Sequence, residues 1–182
     1  SYEARDFGIH SAMPMKMARQ LCPEAVVLRG NSATYSKHSQ WVTEIIRDAA
    51  PLFEKTSIDE FYLDFSGMEQ FFGVYRYAGE LRQRILKETG LPISFGLSVN
   101  KTVSKVATGE AKPNNQMRVE QGRERSFLAP LSVQKIPMVG EKTYQTLCDL
   151  GVRKVKTLQE MPVDLMEQVM GRNGKLLWEK AN

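Results

Sequence analysis

Cysteine and histidine are scarce: two of each stand among 182 residues. Cys22 and Cys148 lie far apart and have no metal-ligand spacing, and His10 and His38 do not cluster with other ligands. A disulfide framework and a zinc centre are thereby excluded, and free thiols in a reducing, cytoplasmic setting are expected. No apolar run approaches the ~20 residues of a membrane-spanning helix, and no signal-peptide pattern is present. There is no internal repeat and no low-complexity tract. Neither charge sign dominates: 25 Lys and Arg face 21 Asp and Glu, for a net charge of +4. That permits a polyanionic partner without requiring one.

What is present is an ordinary globular composition, 42% hydrophobic and 25% charged, in a chain long enough for one large or two small domains. The sequence begins at Ser1 and ends at Trp178-Glu179-Lys180-Ala181-Asn182, which reads as mid-helix. Both ends predict a piece of a longer protein.

Two short helical patterns occupy 2–7 and 14–21, and residues 25–28 (AVVL) predict a short buried strand. Trp41, Val42, Ile45, Ile46 and Ala49 recur at helical spacing over 37–49. Residues 52–58 and 61–65 read as two strands. A second amphipathic helix over 73–89 carries Val74, Tyr77, Ala78, Leu81 and Ile85 on one face and stops at Gly90. A strand over 92–98 follows. Asn100 then caps a helix that runs to about Lys112, where Pro113 ends it. A last strand over 116–119 completes an α+β pattern: a ferredoxin-like sheet built from a hairpin and split β-α-β units, with helices on one face. Beyond about residue 120 there is no strand pattern, only short helices broken by Pro and Gly. A small all-α domain is predicted there.

The densest chemistry lies at Ser57-Ile58-Asp59-Glu60. In mid-strand, adjacent side chains point to opposite faces; at a hairpin tip both carboxylates can converge. Asp-Glu is poor tight-turn chemistry, so a hard divalent cation is the expected reason for the pair.

Lys101, Lys105 and Lys112 form a second element. They fall within roughly 40° of one another on an ideal helix. The stripe reads either as a solvated basic face or as a phosphate-holding one. Tyr2 and Arg5, one helical turn apart, offer a hydroxyl and a guanidinium, a pairing common on any surface. Ile136-Pro137-Met138-Val139-Gly140-Glu141-Lys142, followed by a helix and Leu150-Gly151-Val152, fits a helix-hairpin-helix as well as an ordinary αα-turn. In the first case, amides at Val139 and Gly140, with Lys142, would hold a DNA phosphate irrespective of base sequence.

Four segments, in this order, resemble the Y-family translesion DNA polymerases of the DinB type. Ser1-Tyr2-Glu3-Ala4-Arg5 with GIHSAMP (8–14) is similar to the family's fingers motif. Ser57-Ile58-Asp59-Glu60 with Tyr62-Leu63-Asp64 is similar to its palm motif. GLSVNK (96–101) through Ala111-Lys112-Pro113-Asn114 is similar to a third, and Ile136 to Gly140 to its thumb hairpin. Phe61, Val99, Asn115 and Met138 depart from the usual residues without removing a charge.

The resemblance implies fingers over 1–30, palm over 31–120 and thumb over 121–182. It implies error-prone, template-directed DNA synthesis in DNA repair, by nucleotidyl transfer with two Mg²⁺ ions. Asp59 and Glu60 would be metal ligands, Tyr2, Arg5 and Lys112 would grip the triphosphate, and Lys105, with the 139–142 turn, would contact DNA. Asp64, though acidic, is expected to be structural or solvent-facing. Primer-template DNA, deoxynucleoside triphosphates and a sliding clamp, reached through a C-terminal region outside this sequence, are the implied partners of a monomer. The family's leading metal-ligand Asp would precede Ser1, so the chain alone is expected to be inactive. The rival expectations are a non-catalytic DNA-binding module and a nucleotide-cyclase-like palm.

Overall fold

Hydrophobic periodicity is realised almost everywhere the sequence shows it. The computed structural model describes residues 1–69 and 73–182, which form two units, Ser1–Ser36 and Lys37–Asn182. The first contains α1 (Tyr2–Asp6), α2 (Met15–Leu21) and the start of α3 (Ser32–Ala49). Ser1 caps α1, its Oγ accepting from the Ala4 N–H at 3.2 Å. Ala18 and Cys22 are the buried apolar residues of this unit. The strand expected at 25–28 is not there: Val26 is 85% and Leu28 84% exposed, and no ladder pairs with them among the described residues. A strand exists only where a second strand satisfies its backbone groups, and an apolar run cannot supply that partner.

In the second unit, α3 presents Ser39, Val42, Ile45 and Ile46 inward. β1 (Leu52–Lys55) and β2 (Phe61–Asp64) form an antiparallel hairpin, and α4 (Val74–Thr89) follows. Gly90 closes α4 at φ 73°, a left-handed position that costs glycine nothing, and returns its N–H to the Leu86 carbonyl. β3 (Phe95–Leu97), α5 (Lys101–Glu110) and β4 (Gln116–Arg118) make a parallel crossover unit. Asn100 caps α5, its Oδ1 accepting from the Val103 N–H at 2.9 Å, as the sequence predicts.

Among the described residues the strands form two separate pairs, β1–β2 and β3–β4, rather than one sheet. The expectation of helices on one face is also corrected. Phe95 and Leu97 pack with α3 and α4, whereas the Gly96 backbone lies against α5. A Cβ at Gly96 would collide with the Ser104 carbonyl and the Ala107 methyl. The missing side chain lets α5 sit directly on the strand, opposite α4.

The C-terminal part contains α6 (Glu124–Leu128), a 3₁₀ turn (Val133–Lys135), α7 (Glu141–Asp149), α8 (Val155–Glu160), α9 (Val163–Met170) and α10 (Arg172–Ala181). Its core, including Ile136, Leu147, Leu158, Met166 and Leu177, also takes in Val103, Val106 and Ala107 of α5. One face of α5 therefore belongs to the helical region. Among the described residues, no helix is long and apolar enough to cross a membrane.

Candidate active site

The register of the hairpin decides which side chains meet α5. Phe53 pairs with Leu63, Glu54 with Tyr62 and Lys55 with Phe61. Phe53, Phe61 and Leu63 join the core of α3 and α4. Alternation turns Glu54 and Tyr62 to the other face, with Glu60 in step with Tyr62. The Thr56 N–H donates to the Glu60 carbonyl at 3.0 Å, which leaves Ser57, Ile58 and Asp59 as the tip. Asp59 and Glu60 thus stand at and beside the tip, as expected, and both are exposed.

The lysines of α5 face this acidic side. Lys101 pairs with Glu54 and lies 5.3 Å over the Tyr62 ring. Lys105 Nζ donates to Glu60 Oε2 at 2.7 Å. That hydrogen bond holds the Lys105 ammonium above its ordinary range against partial burial, and the charge of Asp59 adds to it. The stripe is therefore neither simply solvated nor open along its length: two of its lysines are engaged by hairpin carboxylates. Such half-exposed pairs contribute under about 1 kcal/mol each. They fix orientation more than they stabilise.

Lys112 departs from the expected stripe. α5 ends at Glu110 with Ala111 as its cap, and Lys112 stands exposed in the following loop. The residue before a proline is steered away from helical backbone, and Pro113 does this here.

Ser57 Oγ donates to Asp59 Oδ1 at 2.7 Å and receives the Asp59 N–H at 3.4 Å. Asp64 accepts the Ser66 N–H at 2.9 Å, and its hydrogen bonds to Ser66 hold its carboxyl below the ordinary range. It acts as a local turn-former, in line with the structural role expected of it.

Tyr2 and Arg5 are both exposed on α1, in the first unit. At the 136–140 turn the expectation of donor amides changes. The Val139 side chain is buried, its N–H donates to the Ile136 carbonyl at 3.1 Å, and the Gly140 N–H reaches the Met138 carbonyl at 3.2 Å. A closed turn consumes its own amides. What faces outward is the first turn of α7, with exposed Lys142 and no side-chain cap. The element before the turn is a 3₁₀ turn rather than an α-helix, and Met138, not a glycine, takes the left-handed position at φ 84°.

Among the described residues, no three His, Cys, Asp or Glu side chains gather as metal ligands. Asp59 and Glu60 nevertheless supply the hard oxygen donors that suit Mg²⁺, which commonly takes one or two carboxylates and completes its shell with water and phosphate. A cleft of about 380 Å³ between α5 and α10 is lined by Lys101, Glu124 and Lys180.

Sequence reasoning missed the polar cluster beneath the tip. Lys55 Nζ donates to Ser39 Oγ at 2.7 Å and to Thr43 Oγ1 at 3.1 Å, and lies 5.3 Å over the Phe61 ring. The available signal was Ser39 itself, a polar residue three and seven positions before Val42 and Ile46 on the buried stripe of α3.

Residues 1–109 match the impB/mucB/samB family. A DNA polymerase IV of Dehalococcoides mccartyi is 40% identical over 94% of this chain and 44% of its own length. A DNA polymerase IV 2 of Methanosarcina mazei is 40% identical over 100% of this chain and 50% of its own. Among solved structures, DinB from Sulfolobus solfataricus matches with a TM-score of 0.89 at 26% identity, over 100% of this chain and 54% of that one. The Dbh DNA polymerase in an insertion ternary complex gives 0.87 at 27%, with the same coverage. The chain spans about half the length of the curated relatives it matches.

Proposed function

The chain belongs to the impB/mucB/samB family, the DinB-type Y-family polymerases, and on that premise we propose that it carries part of the catalytic centre for template-directed, lesion-tolerant DNA synthesis. The observation that carries this reading is the placement of Asp59 and Glu60 at an exposed hairpin tip, backed by the lysines of α5. Residues 1–30 are fingers, 31–120 a mixed helix-and-sheet palm and 121–182 a thumb.

Asp59 and Glu60 hold Mg²⁺. When bound, such ions lower the pKa of a primer 3′-hydroxyl and neutralise the triphosphate and its leaving pyrophosphate. The chain's own residues orient and bind. Ser57 steers the Asp59 carboxylate through a 2.7 Å hydrogen bond. Lys105 balances the acidic pair until a substrate or ion competes for Glu60. Tyr2, Arg5 and Lys112 bind triphosphate oxygens as donors, and Lys105 is shared between Glu60 and the DNA or phosphate. At the thumb, Lys142 and the first-turn amides of α7 take a DNA phosphate in a sequence-independent contact, the helix-hairpin-helix role. The longer protein acts as a cytoplasmic monomer on primer-template DNA, with a sliding clamp as a further partner.

The 182-residue chain alone extends primers poorly, because Asp59 and Glu60 are the carboxylates it brings to the site. The test is single-nucleotide primer extension with Mg²⁺ by the longer protein and by this chain. Asp59→Asn and Glu60→Gln are expected to slow the longer protein by about a hundredfold or more. Undiminished extension in either variant refutes the metal assignment. Robust extension by the short chain refutes its predicted inactivity.

A further inference from the structure

We infer that Ser39 is a positioning residue for the acidic tip, acting through the peptide that joins Ile58 to Asp59. The inference rests on the reading of Asp59 and Glu60 as metal ligands. Ser39 is buried on α3, 8% exposed, and its Oγ donates to the Ile58 carbonyl. The N–H of the same peptide plane belongs to Asp59 and donates to Ser57 Oγ at 3.4 Å. A peptide is planar, so holding its C=O from one side and its N–H from the other fixes the direction in which Asp59 leaves the chain. Ser57 Oγ then donates to Asp59 Oδ1 at 2.7 Å, which carries that direction to the carboxylate.

The clamp is complete in donors and acceptors. A serine hydroxyl has one proton to give and accepts in return. Ser39 gives its proton to Ile58 and accepts from Lys55 Nζ at 2.7 Å. Lys55 is held in turn by Thr43 Oγ1 at 3.1 Å and by the Phe61 ring, while Thr43 Oγ1 donates to the Ser39 carbonyl at 2.6 Å. An ammonium donating to the hydroxyl strengthens the bond the hydroxyl gives onward. The tip is otherwise exposed, with Ile58 itself 49% exposed, so apolar packing does little to hold it. A metal ligand on such a loop needs support from outside the loop, and removing outer support of this kind commonly costs about 10–100-fold in metal affinity.

The test uses the 182-residue chain in two measurements. The first is ¹⁵N relaxation at Ile58, Asp59 and Glu60, without metal. Rigid values near ~0.85 in the unaltered chain should fall below ~0.6 in Ser39→Ala, with the spectrum elsewhere unchanged. The second is titration with Mn²⁺, read as paramagnetic broadening at the same residues. Ser39→Ala should weaken Mn²⁺ about tenfold. Lys55→Met should weaken it less, and Ser39→Thr, which keeps the hydroxyl, should restore both readouts. A rigid tip in Ser39→Ala overturns the inference. So does a mobile tip that binds Mn²⁺ undiminished. Where the unaltered chain shows no broadening, the same titration is read on the longer protein: absence of broadening there overturns the metal-ligand reading itself and this inference with it, a result distinct from unchanged affinity in the variant.

Discussion

Two turns of the second unit, 56–60 and 136–140, both close on their own backbone but are held in place differently. The first is exposed, and side-chain hydrogen bonds tie it to its surroundings: Ser39 to Ile58, Ser57 to Asp59, Lys105 to Glu60. The second hangs on buried apolar residues, Ile136 at 1% and Val139 at 8% exposure, and closes its amides on its own carbonyls. A polar turn keeps carboxylates available to a ligand. An apolar turn is a rigid corner that leaves only its flanks, α7 and Lys142, to meet one.

Substitution should separate the two. Ile136→Ala, at the apolar turn, is expected to cost about 2–5 kcal/mol, seen as an early urea midpoint by tryptophan fluorescence. Ile58→Ala, at the polar tip, should stay within about 0.5 kcal/mol. Equal losses would erase the contrast. Met138→Gly should stabilise by about 1 kcal/mol, because an L-residue is strained at φ 84°, while Met138→Ala should not. A lower melting temperature for Met138→Gly would mean that the Met side chain, not the backbone angle, governs that corner.

At the polar tip, Lys105→Met removes the cation that competes for Glu60. Mn²⁺ binding should strengthen about fivefold, the effect of roughly 1 kcal/mol between charges at about 4 Å in water. Weaker binding would show that Lys105 organises the tip rather than competing for it. The smallest effect is on pH dependence. The Lys105 ammonium is held above its ordinary range by Glu60, so its contribution is fully present below the unfolded-state value and lost as pH rises through the higher folded one. The melting temperatures of the unaltered chain and Lys105→Met should differ by a constant amount from neutral to mildly alkaline pH and converge only in strong alkali. Convergence near neutrality would sink the assignment.

The residues explain why some of this was legible in the sequence. The caps of α4 and α5, Gly90 and Asn100, act within a turn of their own positions, so spacing reveals them. The same holds for the buried stripes of α3 and α4. The lack of a strand at 25–28, the face on which α5 lies and the partners of Lys101 and Lys105 were not legible, because each depends on which other element packs alongside; Glu54 and Glu60 lie 47 and 45 residues from their lysines. Lys112 was misplaced by extending a periodicity past the point where Pro113 stops it.

The sequence by itself determined that two carboxylates sit at a hairpin tip, since two short apolar strands leave Asp59 and Glu60 nowhere else to go. It also determined the family, through four segments in order. Only the tertiary structure decided that the opposing lysines close on the acidic face, that α5 lies against Gly96, and that Ser39 reaches the Ile58 carbonyl. Periodicity fixes which face a residue occupies within its own element. Which element that face meets is decided by packing and by hydrogen bonds that must be satisfied across the fold.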